Sequence, residues 1–206
     1  MDYPVVPLLE NRFLKVFDLQ YAPGRHYYVA TRRTAANMVA SQDDAAWADL
    51  LPDAVSVCLV LHEQNRPDRM VLNREYRYPL GHTVISVPAG LIDADDRGGS
   101  REQALLTAAA REIYEETGLT LTESDRIRVL NPCLFSSPGM TDESNAMVRV
   151  DLFGHAEEEL TQAHAESTER FEGFSLVTRE EARDLLSRGS ISVYTWIGLS
   201  AFIHDL

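Results

Sequence analysis

The amino-acid sequence predicts an α/β sandwich with a mixed sheet, preceded by a small antiparallel β subdomain. Three observations lead to this fold class. Short β-rich segments fill about the first 35 residues, several strand-like runs follow from residue 54, and helical patterns are interspersed among them and close the chain. Strands mixed with only a few helices are typical of a layered α/β domain. We therefore divide the chain into residues 1–52, a β segment with its connector, and residues 53–206, the main domain.

The N-terminal segment contains two predicted strands joined by a turn. RFLKVFDLQYA (residues 12–22) and HYYVATRR (residues 26–33) are rich in β-branched and aromatic residues, and the Pro23-Gly24 pair between them is typical of a turn. The polar connector SQDDAAWADLLPD (residues 41–53) has a helix-like composition.

The first half of the main domain is predicted to hold three strands and the clearest helix of the chain. Ser100 fits an N-cap with Gln103 at the third helical position, as in a capping box, and Gly118 fits the left-handed residue that ends a helix. Several alanines and Ile113 supply the apolar face between them. The three preceding strands are AVSVCLVLHE (54–63), DRMVLNREYRYPL (68–80) and TVISVPAG (83–90).

The second half of the main domain is predicted to hold three further strands and two helices. The strands are RIRVLNPCLFSS (126–137), NAMVRVDLFGHA (145–156) and RFEGFSLVT (170–178), and the helices are REEARDLLSRG (179–189) and YTWIGLSAFIHDL (194–206). The acidic stretch HAEEELTQAHAESTE (155–169) is expected to be a solvated loop or a short helix.

Composition limits the classes of partner. The chain of 206 residues is 45% apolar and 25% charged, which supports a real core, and its formal net charge of −13 disfavours nucleic acid or an anionic membrane as the main partner. No apolar run approaches the length of a membrane span, and the N-terminus lacks the basic and apolar regions of a secretory signal. A soluble cytoplasmic protein is the default expectation.

The stretch AREIYEETGL (residues 110–119) crowds carboxylates at the end of the long helix. Glu112, Glu115 and Glu116 share one side at helical spacing, and Arg111, four residues before Glu115, is the only cation at such a spacing. Like charges at these spacings and acids near a helix C-terminus are both unfavourable. An exposed acidic face is the simpler interpretation. The alternative is a divalent cation such as Mg²⁺ held by the carboxylates.

Four segments resemble the Nudix hydrolase family, in its ADP-ribose pyrophosphatase-like branch. REIYEETGL (111–119) is similar to the second half of the Nudix box at every fixed position, and the other three are REYRYPLG (74–81), VPAGLID (87–93) and SSPGMTDE (136–143). The resemblance covers nearly the whole chain and implies a Nudix fold. It also implies hydrolysis of a nucleoside diphosphate linked to a group X, most readily ADP-ribose to AMP and ribose 5-phosphate.

The resemblance implies a magnesium site, with Mn²⁺ as the alternative ion. Glu112 and Glu116 would be the main metal ligands, Glu115 would bridge or assist, and the Ala89 carbonyl would complete the site. Arg111 would orient the carboxylates rather than contact the substrate.

The resemblance also implies a general base and substrate contacts. Glu143, in a loop rich in turn formers, would activate the attacking water, whereas the simpler interpretation is a solvated turn residue. Arg77 would reach a phosphate, although a strand-edge salt bridge with Glu75 is the alternative. Leu91 would line the pocket. Tyr28 or Tyr27 would stack on the base, although we expect at least one of these rings to pack in the core.

The first half of the Nudix box departs from the family pattern. Gln103 stands where relatives have a glutamate that orients the box arginine, and Arg97 stands at the glycine position. Gly90 lies 21 residues before Arg111 (111 − 90) instead of 14, so that a seven-residue insertion falls within DADDRGGS (93–100). Ser86 replaces a glutamate that helps to hold a metal in the branch. These changes leave the substrate and the number of metal ions open.

Two alternatives to an ADP-ribose hydrolase follow. The first is a pyrophosphatase for another nucleotide sugar such as UDP-glucose. The second is a Nudix module that senses a nucleotide without cleaving it. We also expect a homodimer, because the N-terminal segment is short for an independent core and the resemblance implies that it pairs subunits.

Overall fold

A computed structural model describes residues 3–206, which form ten strands, four helices and two 3₁₀ turns. The strands are β1 (Val5–Glu10), β2 (Lys15–Ala22), β3 (Arg25–Thr31), β4 (Ala54–His62), β5 (Arg69–Arg77), β6 (His82–Ser86), β7 (Ala89–Leu91), β8 (Arg126–Phe135), β9 (Ser144–Phe153) and β10 (Phe171–Val177). The helices are α1 (Asp44–Ala48), α2 (Arg101–Thr117), α3 (Arg179–Arg188) and α4 (Val193–His204), and the 3₁₀ turns are Val39–Ser41 and Glu157–Glu159. Among residues 3–206, none of the helices is both long and apolar enough to cross a membrane.

The first of two compact units comprises the chain up to Asp53 together with Cys133–Asn145. Its three-stranded antiparallel sheet has the order β1-β2-β3. A small cluster of Phe17, Leu19 and Met38 forms its core. The structure adds β1 to the two predicted strands, and the helix expected in the connector shrinks to the five residues of α1.

The second unit comprises Ala54–Pro132 and Ala146–Leu206. Five strands of the seven-stranded sheet lie in the order β10-β5-β4-β9-β8, while β6 pairs with β5 and β7 pairs with β4. Strand β4 is buried along nearly its whole length, as its apolar sequence predicts, and helices α2 and α4 both pack against it. The predicted fold class is confirmed: it is a layered α/β domain, preceded along the chain by a small antiparallel β subdomain.

The segment TVISVPAG departs from the single strand that the sequence predicts. It forms two strands, because β6 pairs with β5 whereas β7 pairs with β4 in the register Val55↔Gly90. Between them, the Pro88 carbonyl accepts a hydrogen bond from the Val57 N–H at 2.8 Å. This change of partner brings Ala89 and Gly90 against helix α2, where the acidic residues lie.

Candidate active site

Helix α2 has the boundaries that its capping residues predict. The Ser100 side chain accepts a hydrogen bond from the Gln103 N–H at 3.2 Å, and Gly118 ends the helix at φ 74° in the left-handed region. The Gln103 side chain contacts the Thr107 hydroxyl at 3.5 Å rather than returning to the N-cap. Ile113 is fully buried, so the helix docks through the predicted apolar position.

The carboxylates of Glu112, Glu115 and Glu116, which we call the α2 acidic cluster, are not a solvated face. Glu112 is 5% exposed and Glu116 is 3% exposed, while Glu115 is half-buried. Acidic residues are almost never buried to this degree without a compensating partner. The exposed-face interpretation is therefore wrong for Glu112 and Glu116.

Gly90 and Glu112 are in direct contact. A Cβ atom added at Gly90 would overlap the Glu112 carboxylate, so only glycine leaves room for this carboxylate beside β7. Burial raises the pKa of Glu112 to about 7, and the neighbouring charges of Glu115 and Glu169 add to the shift while Arg111 opposes it. At neutral pH the Glu112 carboxyl is thus held between its protonated and ionised forms.

Glu116 is the most deeply buried member of the α2 acidic cluster. Its carboxylate accepts hydrogen bonds from the Asn73 side chain and, at 3.3 Å, from the Ala89 N–H. Burial raises the pKa of Glu116 well above its usual value, and the negative charges of Glu169 and Glu112 raise it further. The structure thus places Ala89 beside Glu116 through a hydrogen bond from the Ala89 N–H, while the role expected for the Ala89 carbonyl as a metal ligand stays a prediction.

Arg111 bridges the acidic cluster and the insertion. Its Nη1 donates to Glu112 Oε1 at 2.9 Å and to Glu115 Oε2 at 2.8 Å. On the other side, its Nη2 donates to Asp96 Oδ2 and to the Leu91 carbonyl, both at 2.8 Å. These bonds are compatible with the orienting role predicted for Arg111, which stays a prediction.

A second carboxylate group approaches the α2 acidic cluster from strand β5. Glu75 is 7% exposed. Its carboxylate accepts a hydrogen bond from the Ser86 hydroxyl at 3.1 Å and forms an ion pair with Arg77 Nη2 at 2.8 Å. Its charge also raises the pKa of Glu116. Ser86 itself lacks a carboxylate, but the neighbouring strand supplies one at hydrogen-bonding distance from its hydroxyl.

Glu169 is the functional candidate that the sequence did not reveal. It lies in the stretch expected to be a solvated loop or a short helix, yet it is half-buried, and its negative charge raises the pKa of Glu116 more than that of any other acidic neighbour. Burial in turn raises the pKa of Glu169, and the charge of Glu75 contributes. A short acidic loop before a strand carries no local signal for this placement, because the contact is a tertiary one.

The side chains of the predicted substrate-binding residues are exposed or half-exposed. Arg77 is half-exposed and forms the predicted ion pair with Glu75, and Leu91 is exposed while its carbonyl contacts Arg111. Tyr27 and Tyr28 are 47% and 59% exposed, so the expectation that one of them packs in the core is wrong. The Tyr27 hydroxyl donates to the Gly139 carbonyl at 2.9 Å within the first unit.

Glu143 also lies in the first unit. Its Oε1 pairs with Arg32 Nε at 2.7 Å, and both side chains are about 40% exposed. Its backbone N–H donates to the Thr141 hydroxyl at 3.1 Å, so the loop has the turn structure that its composition predicts.

The donors around α2 suit a hard divalent cation. They are carboxylate oxygens of low exposure, and oxygen atoms are the ligand type that Mg²⁺ prefers. Across residues 3–206, His, Cys, Asp and Glu side chains do not form a group of three arranged to hold a metal ion. In the structure, the carboxylates of Glu112 and Glu115 instead accept hydrogen bonds from Arg111.

Comparison with known proteins identifies the family of the chain. The NUDIX domain model matches residues 50–197, and the chain belongs to the Nudix family. A candidate nudix hydrolase, nudix hydrolase 2 of Caenorhabditis elegans, is 36% identical over 121 residues, 58% of this chain and 49% of that protein.

Two relatives carry names that point to a substrate class. The ADP-ribose pyrophosphatase of Saccharomyces cerevisiae is 33% identical over 101 residues, 48% of this chain and 39% of the relative. The ADP-sugar pyrophosphatase of Mus musculus is 30% identical over 102 residues, 50% of this chain and 42% of the relative. The matches thus span less than half the length of each of these relatives. The resemblance to the Nudix family and its ADP-ribose pyrophosphatase-like branch is confirmed.

Proposed function

We propose that this chain hydrolyses the pyrophosphate linkage of a nucleoside diphosphate joined to a second group, with Mg²⁺ as cofactor. The observation that carries the proposal is the buried pair Glu112 and Glu116, whose pKa values are both raised. Two carboxylates held together in this way are costly unless they bind a cation. Perturbed acids of this kind cluster at functional sites.

The proposed metal ligands are Glu112, Glu115, Glu116 and the carbonyl of Ala89. When bound by these residues, a divalent ion would supply charge neutralisation for pyrophosphate oxygens and would lower the pKa of a bound water. Gly90 leaves the space in which the Glu112 carboxylate lies, and Asn73 fixes the Glu116 carboxylate. Arg77, half-exposed and paired with Glu75, would supply a positive charge for a substrate phosphate.

Two glutamates are candidates for the general base. We retain Glu143, whose exposed ion pair with Arg32 leaves it free to exchange partners in a loop. Glu169 is the second candidate, because burial raises its pKa and its charge acts on both Glu112 and Glu116. The variants Glu143→Gln and Glu169→Gln separate them, since loss of the base should lower kcat by about 10²- to 10⁴-fold.

ADP-ribose is the substrate that we propose first. Support comes from the relatives named ADP-ribose pyrophosphatase and ADP-sugar pyrophosphatase. The exposed ring of Tyr28 offers a surface for stacking the base, and Leu91 offers an apolar contact for the pocket. Because Ser86 and Gln103 depart from the family pattern, other nucleotide sugars such as UDP-glucose are the main alternative substrates.

We also propose that residues 1–52 pair two copies of the chain. The three-stranded sheet and the turn after β1 expose several large apolar side chains, as interaction surfaces commonly do. These are Leu8, Leu9, Phe13, Tyr21, Tyr27 and Tyr28. Light scattering should return twice the monomer mass of 23.1 kDa, and a value of 23.1 kDa would refute the dimer.

The proposed activity can be tested with a substrate panel. ADP-ribose, a second ADP-sugar and UDP-glucose are incubated with the chain and Mg²⁺, and the monophosphate products are identified by chromatography. Glu112→Gln and Glu116→Gln remove proposed ligands, while Glu102→Gln changes an exposed glutamate of the same helix as a control. We expect cleavage of ADP-ribose by the wild type and the control and loss of cleavage in both ligand variants.

Other outcomes of the panel contradict specific parts of the proposal. Preferential cleavage of UDP-glucose would replace the substrate, and tight binding without turnover would indicate a sensing module. Turnover by both ligand variants at the wild-type rate would refute the metal assignment.

A further inference from the structure

Asp96 stands apart from the other acidic residues of the insertion. It is 3% exposed, whereas Asp93 and Asp95 are exposed. Its Oδ1 accepts a hydrogen bond from Arg111 Nε at 3.3 Å, and its Oδ2 accepts one from Arg111 Nη2 at 2.8 Å. The Asp93 N–H also donates to Oδ2 at 2.9 Å, so the insertion fixes the Asp96 carboxylate from its own backbone.

The Arg111 guanidinium has two edges with different partners. The edge formed by Nε and Nη2 faces Asp96, and Nη2 also donates to the Leu91 carbonyl. Nη1, at the other end, donates to Glu112 and Glu115. A guanidinium held by a carboxylate in this bidentate way has a fixed plane, which sets the direction of the remaining N–H groups.

Gln103 does not share this role. It is exposed and contacts Thr107 within its own helix. Asp93 approaches Arg111 Nη2 only to 3.9 Å and is 65% exposed at its side chain. Among the residues that the structure describes, Asp96 is therefore the buried carboxylate outside α2 that pairs with Arg111.

We propose that Asp96 is a positioning residue for the cation site. It anchors the Arg111 guanidinium from the side of the insertion, so that the positive charge of Arg111 is shared between Asp96 and the two carboxylates that it orients, Glu112 and Glu115. Without this anchor, Arg111 is free to turn its charge fully onto Glu112 and Glu115, where it competes with the cation. The proposal rests on the proposed function and gives the insertion a role in that same site.

The test compares Asp96→Asn and Asp96→Glu with Asp95→Asn, which removes the same charge from an exposed neighbour. Mn²⁺ affinity is measured by calorimetry on each purified chain, and kcat and KM are measured with the best substrate of the panel. We expect Asp96→Asn to weaken Mn²⁺ binding and to lower kcat by about 10- to 100-fold, as loss of such supporting contacts usually does, with KM changed less than threefold. Asp96→Glu should recover part of both losses, and Asp95→Asn should match the wild type.

A double-mutant cycle shows whether Asp96 acts through Arg111. In an Arg111→Lys background, Asp96→Asn should change Mn²⁺ affinity less than twofold, because the guanidinium that Asp96 orients is gone. An undiminished effect of Asp96→Asn in that background would overturn the proposal. The proposal would also be overturned if Asp96→Asn had the same Mn²⁺ affinity and the same kcat as Asp95→Asn. If Asp96→Asn does not fold, the same comparison is made with Asp96→Glu, whose Mn²⁺ affinity must then lie below that of Asp95→Asn.

The two proposals fail separately. A wild-type chain that binds Mn²⁺ but cleaves no substrate contradicts the proposed function, while the Mn²⁺ affinities still test Asp96. Normal cleavage by the wild type, with Asp96→Asn indistinguishable from Asp95→Asn, contradicts the role of Asp96 alone.

Discussion

Two buried charged groups within the second unit differ in how their charges are balanced. In one, which we call the Arg149 network, Arg149 is 3% exposed and donates to both oxygens of Asp151, while His62 contacts Asp151 at 3.0 Å. Burial raises the pKa of Asp151, but the hydrogen bonds from Arg149 and His62 outweigh it and hold the pKa below its usual value. Arg149 also binds Asp205 and the Leu206 carbonyl, at 2.7 and 2.9 Å.

The α2 acidic cluster has the opposite balance. Arg111 is shared with Asp96, and Glu116 has no cationic partner among the bonds that its carboxylate makes to Asn73 and Ala89. The pKa values of Glu112 and Glu116 are raised, whereas that of Asp151 is lowered. Removal of one partner from a compensated buried network destabilises a fold, whereas buried acids with strongly perturbed pKa values cluster at functional sites. Mutations should therefore affect function at α2 and stability at Arg149.

The largest effect is expected for Glu116→Gln. The amide keeps the shape of the side chain but removes a ligand charge, so hydrolysis should fall by roughly 10³-fold. Because burial raises the pKa of Glu116 and its carboxylate has no cationic partner in its bonds to Asn73 and Ala89, the neutral amide should leave the melting temperature at or above the wild-type value. Turnover and thermal melting, compared with Glu102→Gln, check both statements. A Glu116→Gln protein that melts far lower and cleaves normally would reverse the assignment.

The complementary change is Arg149→Met. It leaves Asp151 buried without its main partner, so the free energy of unfolding should fall by about 3–5 kcal/mol. The kcat/KM of the folded fraction should remain within twofold of the wild type. Urea denaturation of Arg149→Met beside Arg183→Met, which alters an exposed arginine, measures the difference. Equal stability of the two variants would mean that the Arg149 network is not structural.

The pH dependence of stability should differ between the two regions. In the folded state the pKa of Glu112 is about 7, above the ordinary value of 4.5. The stability that this group contributes is therefore fully present below pH 4.5 and is lost as the pH rises through 7. The loss amounts to at most about 3 kcal/mol. Asp151 has the reverse sign, since its lowered pKa contributes stability that disappears only as the pH falls into the acid range.

Thermal melts of the metal-free protein between pH 5 and 8 test this prediction. Glu112→Gln should flatten the decline towards pH 8 relative to the wild type. An unchanged slope in Glu112→Gln would show that Glu112 does not titrate in this range.

A smaller effect is expected for Gly90→Ala. The added Cβ meets the end of a flexible side chain, so Glu112 moves aside at little cost to stability. The displaced carboxylate should weaken cation binding and lower kcat by about 10- to 100-fold. Gly98→Ala, where nothing lies within 4 Å of the new Cβ, is the matched control. Full activity of Gly90→Ala would mean that the position of Glu112 is not critical.

Local features of the site could be predicted from the sequence. Spacing along one helix places Glu112, Glu115 and Glu116 together, and the capping residues Ser100 and Gly118 define where that helix begins and ends. The fold class follows from the pattern of apolar strands and amphipathic helices, because both depend on short-range periodicity.

Contacts between segments far apart in sequence could not be predicted. Asp96 faces Arg111 across 15 residues, and the effect of Glu169 on Glu116 depends on how a loop returns to the sheet. The exposure of Tyr27 and Tyr28 was also missed, since strand alternation predicts one buried ring only where the sheet has a covered face.

The central claim is that the α2 acidic cluster binds a divalent cation because its own charges are under-compensated. Calorimetric titration of Mg²⁺ at pH 7, in two buffers with different ionisation enthalpies, tests it most directly. Since the pKa of Glu112 is about 7, binding should release protons, and Glu116→Gln should abolish both binding and release. Binding without proton release, or equal binding by Glu116→Gln, would contradict the claim.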